Sequence, residues 1–110
     1  MKIHIHSQDF PMSRAIETQI RGRLISSLDA HLSRIREIEV FVRDINGPRG
    51  GPDKSVRINI GLRRGPVVTV QETKSNLYAA ISVAAGRARR AVNRQLDRRR
   101  AGRRTGRPRS

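Results

Sequence analysis

The strictest pattern in this chain is the alternation of aliphatic and other residues from Ser55 to Leu62. Its aliphatic members are Val56, Ile58, Ile60 and Leu62. Successive side chains of a β-strand point to opposite faces, so these four residues line one face of a strand. The other face is polar. A strand with one apolar face needs a covering layer, which predicts a sheet that is packed on one side only.

Three further segments alternate in the same way and are predicted as strands. They run from Lys2 to His6, from Glu37 to Asp44 and from Val67 to Glu72. A short turn containing Arg63 and Arg64 separates the third and fourth strands of the chain. This spacing predicts a β-hairpin with the two arginines at its tip.

Two helices are predicted from their apolar faces. The first runs from about Arg14 to His31, with Ser13 as its N-cap and with Gly22 costing about 1 kcal/mol of helix propensity. Its core-facing stripe consists of Ile16, Ile20, Leu24, Leu28 and Leu32, with Ile25 beside them. The second helix begins after the N-cap Asn76. Its predicted buried face is Leu77, Ile81, Ala84, Ala88, Ala91, Val92 and Gln95.

The resulting order is β-α-β-β-β-α, and the predicted fold class is α+β: a four-stranded sheet with two helices packed on one face. A helix connects the first two strands, so this pair is expected to be parallel, and the other pairs antiparallel. This domain is expected to span residues 1–100. Residues 101–110 lack apolar periodicity and are expected to form a disordered, arginine-rich tail.

The charge of the chain indicates a polyanionic partner. There are 24 Lys and Arg against 9 Asp and Glu. From Gly86 onward, eleven arginines face a single acid, Asp97. The guanidinium group binds phosphate in a bidentate manner and stacks on bases, which favours nucleic acid over an anionic membrane surface.

Four arginines of the second helix form what we call the arginine ridge: Arg87, Arg90, Arg94 and Arg98. At 100° per residue they fall on one flank of the apolar face, over about 16 Å of helix. A solvated helix face normally mixes Glu with Lys, whereas Asp97 is the only acid in the last 38 residues. The ridge is therefore interpreted as a phosphate-binding surface.

Other basic residues are predicted to bind RNA around the ridge. They are Arg63 and Arg64 at the hairpin tip, Arg57 on the outer sheet face, Lys54 after the loop, and Arg89 on the opposite flank of the helix. No helix-turn-helix, zinc-finger spacing or leucine repeat suggests DNA. The sheet lacks the exposed aromatics with which an RNA-recognition motif stacks bases, so recognition is expected through shape and phosphate.

Enzymatic interpretations are weaker. His4 and His6 share a strand face and with an acid could bind a metal, but no third ligand is evident. Residues 45–53 are rich in Gly and Pro and are predicted as a loop, which does not end like a P-loop. Asp44 and Asp53 bracket it and are interpreted as turn residues bonded to local backbone rather than as paired carboxylates. No catalytic residue, metal, cofactor or small-molecule substrate is predicted.

The start of the chain alternates and has no apolar core of a signal peptide, and no apolar run approaches the roughly 20 residues of a membrane span. A cytoplasmic protein without a membrane partner is therefore expected.

The strand and helix order, the segment from Asn76 to Ile81 (NLYAAI) and the basic series that follows resemble the ribosome hibernation factors. This sigma-54 modulation family includes the short hibernation-promoting factor and ribosome-associated inhibitor A. The loop from Asp44 to Gly51, followed by Asp53, Lys54 and Arg57, resembles a subgroup of short members. The likeness covers about residues 1 to 100.

The resemblance implies a partner and a role. The family binds the small ribosomal subunit and its rRNA in the channel between the subunits, where it overlaps the messenger and transfer-RNA positions and silences ribosomes in stationary phase or starvation. The family's basic positions match the arginine ridge, and its tyrosine matches Tyr78. Long members carry a second, dimerising domain, for which this chain is too short, so any pairing of ribosomes is expected to need another factor. The protein itself is expected to be monomeric off the ribosome.

Two alternatives remain open from the residues alone. The first is a general module for structured or double-stranded RNA, which should bind free duplex RNA as well as it binds ribosomes. The second is a small metal-dependent enzyme that uses His4 and His6.

Overall fold

The structure, a computed structural model, describes residues 1–45 and 53–105, the last seven of these by their backbone alone. The strands are β1 (Lys2–Gln8), β2 (Ile35–Asp44), β3 (Lys54–Leu62) and β4 (Val67–Lys74), and the helices are α1 (Arg14–Ser27) and α2 (Leu77–Thr105). A 3₁₀ helix, Asp29–Arg34, connects α1 to β2. The predicted order β-α-β-β-β-α is confirmed.

The four strands form one mixed sheet in the order β1-β2-β3-β4. β1 pairs with β2 in parallel, while β2–β3 and β3–β4 are antiparallel, as predicted. The connection between the parallel strands passes through α1, because parallel strands cannot be joined by a tight hairpin. Gly65 closes the β3–β4 turn with a φ of 101°, a conformation that favours glycine.

The core lies between one sheet face and the two helices, and it is aliphatic. The sheet contributes every second residue of its central strands, and the helices contribute narrow stripes of Leu, Ile, Val and Ala. Its principal members are Ile38, Val40, Val42, Val56, Ile58, Ile60, Ile20, Leu24, Leu28, Ile81, Ala84, Ala88 and Val92. Small alanines on α2 allow this helix to lie close to the sheet.

The helix α1 ends earlier than predicted. Its last turn closes with the bond from the Leu28 N–H to the Leu24 carbonyl, and the chain then continues as the 3₁₀ helix. Ile25, predicted beside the buried stripe, is 42% exposed. A helical residue is turned by 100° from its neighbour, which takes Ile25 away from the stripe that contains Leu24.

The helix α2 begins as predicted and ends later. Asn76 Oδ1 accepts a hydrogen bond of 3.1 Å from the Ala79 N–H, which is a normal N-cap. Ala80, Ala85 and Leu96 join the predicted buried face, whereas Ala91 and Gln95 are half-buried. Helical backbone continues to Thr105, five residues into the predicted tail, and residues 106–110 lie outside the described residues.

The predicted loop is seen only at its ends, since residues 46–52 lie outside the described residues. The Ile45 N–H donates to the Asp53 carbonyl over 2.8 Å, which joins the two ends. None of the helices in the described part of the chain is apolar over a length that would cross a bilayer.

Candidate nucleic-acid interface

The arginine ridge forms one wall of a groove between α2 and the edge strand β4. This groove has a volume of about 470 Å³ and is lined by Thr69, Val70 and Gln71 of β4 and by Arg87, Arg90, Ala91 and Arg94 of α2. The side chains of the ridge are exposed. Because β4 is an edge strand, part of its backbone also has no strand partner. The ridge therefore borders a concave surface with polar groups on both walls.

The first arginine of the ridge is neutralised within the fold. Arg87 Nη1 donates to Glu72 Oε1 over 2.8 Å, and Lys74 Nζ lies 3.9 Å from the other oxygen of the same carboxylate. Along α2 alone, Asp97 is the only acid, so a ridge without neutralising partners was inferred from the sequence. That inference is wrong for Arg87, since the packing of α2 on β4 brings Glu72 to it.

The next two arginines keep their charge. In the part of the chain that the structure describes, no hydrogen bond or ion pair joins Arg90 or Arg94 to another residue. Arg98 Nη1 donates to the amide oxygen of Gln95 over 3.3 Å, which leaves its positive charge in place. Guanidinium groups that face solvent without carboxylates are available to phosphate oxygens. Arg90 and Arg94 are thus the best candidates for direct phosphate contact.

The hairpin tip lies level with the end of the ridge. β4 and α2 run in opposite directions, and Glu72 meets Arg87. Eleven helical residues, from Arg87 to Arg98, cover about 16 Å, which is about the length of the five strand residues from Glu72 back to Val67. Arg98 is therefore close to the level of the turn that carries Arg63 and Arg64.

The tip itself is held in position by Arg63. Its Nε donates to the Ser33 carbonyl over 3.0 Å and its N–H to the Arg34 carbonyl over 2.9 Å. These bonds fix the tip against the 3₁₀ helix, while both Arg63 and Arg64 remain exposed.

Lys54 is engaged in the fold. Its Nζ lies 3.1 Å from Asp53 and 3.4 Å from Asp44, and Asp53 is only 2% exposed. The hydrogen bond to Asp53 raises the pKa of Lys54 above its usual value. Two carboxylates thus neutralise the Lys54 ammonium group where the two ends of the loop meet. The two aspartates, interpreted from the sequence as turn residues bonded to backbone, serve as its partners, and we do not include Lys54 in the proposed interface.

The remaining sequence candidates lie elsewhere. Arg57 is on the outer face of the sheet, which the helices do not cover, with its Cζ 4.7 Å from the centre of the Phe41 ring. Tyr78 is 47% exposed on the first turn of α2. Arg89 lies on the flank of α2 that adjoins α1, where Asn93 is hydrogen-bonded to His31. The structure therefore separates Arg57, Tyr78 and Arg89 from the ridge.

The histidines of β1 do not form a metal site with the described residues. His6 Nε2 lies 3.5 Å from Glu39, and its ring stacks on Phe41. No group of three His, Asp or Glu side chains suited to a metal ion occurs within residues 1–45 and 53–98, for which side chains are described.

The fold and the groove define a small α+β domain with one strongly cationic flank. Residues 3–100 match the family described as "Sigma 54 modulation protein / S30EA ribosomal protein", and the chain belongs to this family. The family consists of ribosome-associated factors and is not a known enzyme family. The resemblance inferred from the NLYAAI segment and its basic helix is thereby confirmed.

The solved structures that are similar to the chain include the following two. The N-terminal domain of Protein Y from Thermus thermophilus is 23% identical, with a TM-score of 0.70 over 86% of this chain and 98% of that one. A ribosomal subunit interface protein from Coxiella burnetii is 20% identical, with a TM-score of 0.71 over 92% of this chain and 99% of that one. At this identity the two structures establish the fold. No curated protein sequence matches the chain significantly.

Proposed function

We propose that this protein is a ribosome hibernation factor. It binds the rRNA of the small subunit in the channel between the subunits and blocks the messenger and transfer-RNA sites in stationary phase or under stress. It acts in the cytoplasm, without a cofactor, and it is a monomer off the ribosome. The observation that carries this proposal is the pair of exposed, unneutralised guanidinium groups of Arg90 and Arg94 in the α2–β4 groove.

These two arginines suit an RNA backbone. They lie on the same flank of α2, one helical turn apart, at an axial distance of about 6 Å. Each can bind a phosphate in a bidentate manner, and hydrogen bonds to charged groups contribute about 1.5–3 kcal/mol each. The groove wall on β4 adds Thr69 and Gln71 as polar neighbours. Such a surface recognises the shape and charge of a folded RNA.

Family membership points to the ribosome as the source of that RNA. The similar Coxiella burnetii protein is described as a ribosomal subunit interface protein. A groove that combines a helix flank and a strand edge fits a site enclosed by several RNA segments better than an exposed helix face would. The general module for structured RNA remains the second candidate, because the same arginines would also bind free duplex RNA.

The test compares ribosome binding by two variants with equal loss of charge. Arg90→Gln with Arg94→Gln removes both free ridge cations, and Arg14→Gln with Arg23→Gln removes two exposed cations from α1. Sedimentation with small subunits and whole ribosomes should show at least about a hundredfold loss of affinity for the ridge variant, because two charge-assisted contacts are lost. The α1 variant should bind within about threefold of the unaltered protein.

Two results would contradict the proposal. Equal losses of ribosome affinity in both variants would show that the ridge acts only through the overall positive charge of the protein. Binding of a free 16-base-pair RNA duplex as tightly as of the small subunit would favour the general RNA-binding module. Inhibition of cell-free translation, measured with the same variants, should follow the sedimentation results.

A further inference from the structure

The outer face of the sheet, opposite the helices, carries a row of planar side chains. His6, Phe41, Arg57 and Gln71 are aligned across all four strands by the strand register. The His6 and Phe41 rings stack with their centres 4.8 Å apart and their planes 19° apart. The Arg57 guanidinium lies over the same phenyl ring at 4.7 Å. From sequence, the sheet was inferred to lack exposed aromatics. Phe41 is half-buried on this uncovered face, with its ring between His6 and Arg57.

A cleft of about 340 Å³ lies beside this row. Its other lining residues come from the next row of the register and from adjacent backbone: Ser7, Gln8, Val42, Arg43 and Ser55. Volumes of this order hold small ligands. The cleft therefore has a planar, aromatic side and a polar side that carries a cation and a hydroxyl group.

The lining of the cleft is cationic. It includes Arg43 and Arg57, and no Asp or Glu is among its residues. Arg43 has no hydrogen-bond or ion-pair partner in the described ranges, and the contact of Arg57 is with a ring. Glu39, in the neighbouring row, lies 3.5 Å from His6. A cation–π contact alone would stabilise the sheet, but it does not account for a second arginine without a partner across an open cleft.

We propose that this cleft binds one unpaired nucleotide of an RNA strand. The phosphate lies between Arg43 and Arg57. The base lies beside the row that contains Phe41, against the edges of its rings, because His6 and Arg57 already cover the two faces of the Phe41 ring. The Ser55 hydroxyl and the Gln71 amide, which are 3.3 Å apart, offer hydrogen bonds to the edge of the base. Arginines for the phosphate beside hydrogen-bonding groups for the edge of a base suit an unpaired nucleotide, because the base edges of a duplex are already paired.

This site does not depend on the arginine ridge, because the two lie on opposite faces of the sheet. They meet at one residue, Gln71, which lines both the cleft and the α2–β4 groove at the sheet edge. An RNA strand that leaves the groove over β4 would reach the cleft directly.

The experiment uses 5′-fluorescein-labelled octaadenylate and the full chain with Arg90→Gln and Arg94→Gln, so that the ridge no longer contributes. Backbone amide shifts in an NMR titration should cluster at residues 6–8, 41–43 and 55–57. Fluorescence anisotropy should show about tenfold weaker binding for Arg57→Gln and also for Arg43→Gln, each made in this background. Arg23→Gln, an equal charge change on α1, should bind like the parent.

Shifts confined to α1 or α2, or undiminished binding by either cleft variant, would overturn the inference. Circular dichroism checks that both variants are folded, and because both alter exposed side chains the test does not depend on core packing. The two proposals fail separately. If the unaltered protein did not bind ribosomes but the cleft bound octaadenylate, only the proposed function would be wrong.

Discussion

Glu72 Oε1 lies 2.8 Å from Arg87 Nη1, so a carboxylate on β4 neutralises the first arginine of the ridge on α2. Glu72 is largely buried, with a side-chain exposure of 16%, whereas Arg87 is half-exposed. This pair joins the strand edge to the helix and places an acid at one end of the proposed phosphate-binding groove. The cationic part of the ridge therefore begins at Arg90.

Replacement of this acid should strengthen RNA binding. Glu72→Gln releases Arg87 and removes a negative charge from the groove, which should tighten binding to the small subunit by about three- to tenfold. The stability cost should stay below about 1 kcal/mol, since Arg87 is half-exposed and solvent partly screens its pair with Glu72. Filter binding measures the affinity, with Glu17→Gln on α1 as the matched charge control. Affinity that is unchanged, or raised equally by the control, would show that Glu72 does not face the RNA.

Lys54 should link stability to alkaline pH. Its pKa is raised in the fold, so its contribution is complete below the ordinary lysine value of about 10.4 and is lost as pH rises through the raised value. Lys54→Met leaves Asp53 without this cation and should lower the urea midpoint at pH 8. The difference in urea midpoint between Lys54→Met and the unaltered protein should then decrease above about pH 10.

A difference in urea midpoint that stays constant between pH 8 and pH 11 would contradict this account of Lys54. The same variant, assayed at a temperature where it is folded, should bind ribosomes within about twofold of the unaltered protein. A large loss of ribosome binding would instead show that Lys54 belongs to the interface.

The architecture could be predicted because its signals are local. The alternation at Val56, Ile58 and Ile60 and the cap at Asn76 are visible within a few residues, and the topology follows from the connection lengths. The end of α1 could not be predicted in this way. Leu28 and Leu32 continue the four-residue spacing although the chain has passed into a 3₁₀ helix, so the apolar pattern does not mark where the α-helix ends.

The chemistry of the site depended on packing that no local pattern shows. Glu72 and Arg87 are fifteen residues apart, and their contact depends on how α2 lies along β4. The alternation in β2 correctly directs Phe41 outward, but its contacts with His6 and Arg57 follow from the lateral register of three strands. The charges along α2 therefore identified the ridge, but they could not show that Glu72 neutralises its first arginine, Arg87.

Gly22 should be replaceable with a gain in stability. A methyl group added there meets no other atom within 4 Å, and α1 continues through this position without a break. Alanine has a helix propensity about 0.8–1 kcal/mol better than that of glycine in an exposed helix interior. Gly22→Ala should raise the melting temperature by about 4–8 °C. An unchanged or lowered melting temperature in calorimetry would contradict this reading of α1.

The arginine-rich end should contribute to binding rather than to folding. Leu96 is the last buried residue among those whose side chains are described. Deletion of residues 101–110 should therefore leave the melting temperature unchanged within about 2 °C and should weaken ribosome binding only modestly, by loss of long-range attraction. A fall of 5 °C or more would show that this segment packs on the domain.

The most direct test of the central claim is the salt dependence of binding to the small subunit. The affinity of the unaltered protein should fall linearly on a log–log plot against salt concentration, because each phosphate contact releases counterions. In Arg90→Gln with Arg94→Gln the slope should be smaller by about 1.4 to 1.8, which corresponds to two lost contacts. An equal slope for the two proteins, or an affinity that does not change between low and physiological salt, would show that these arginines do not hold phosphate.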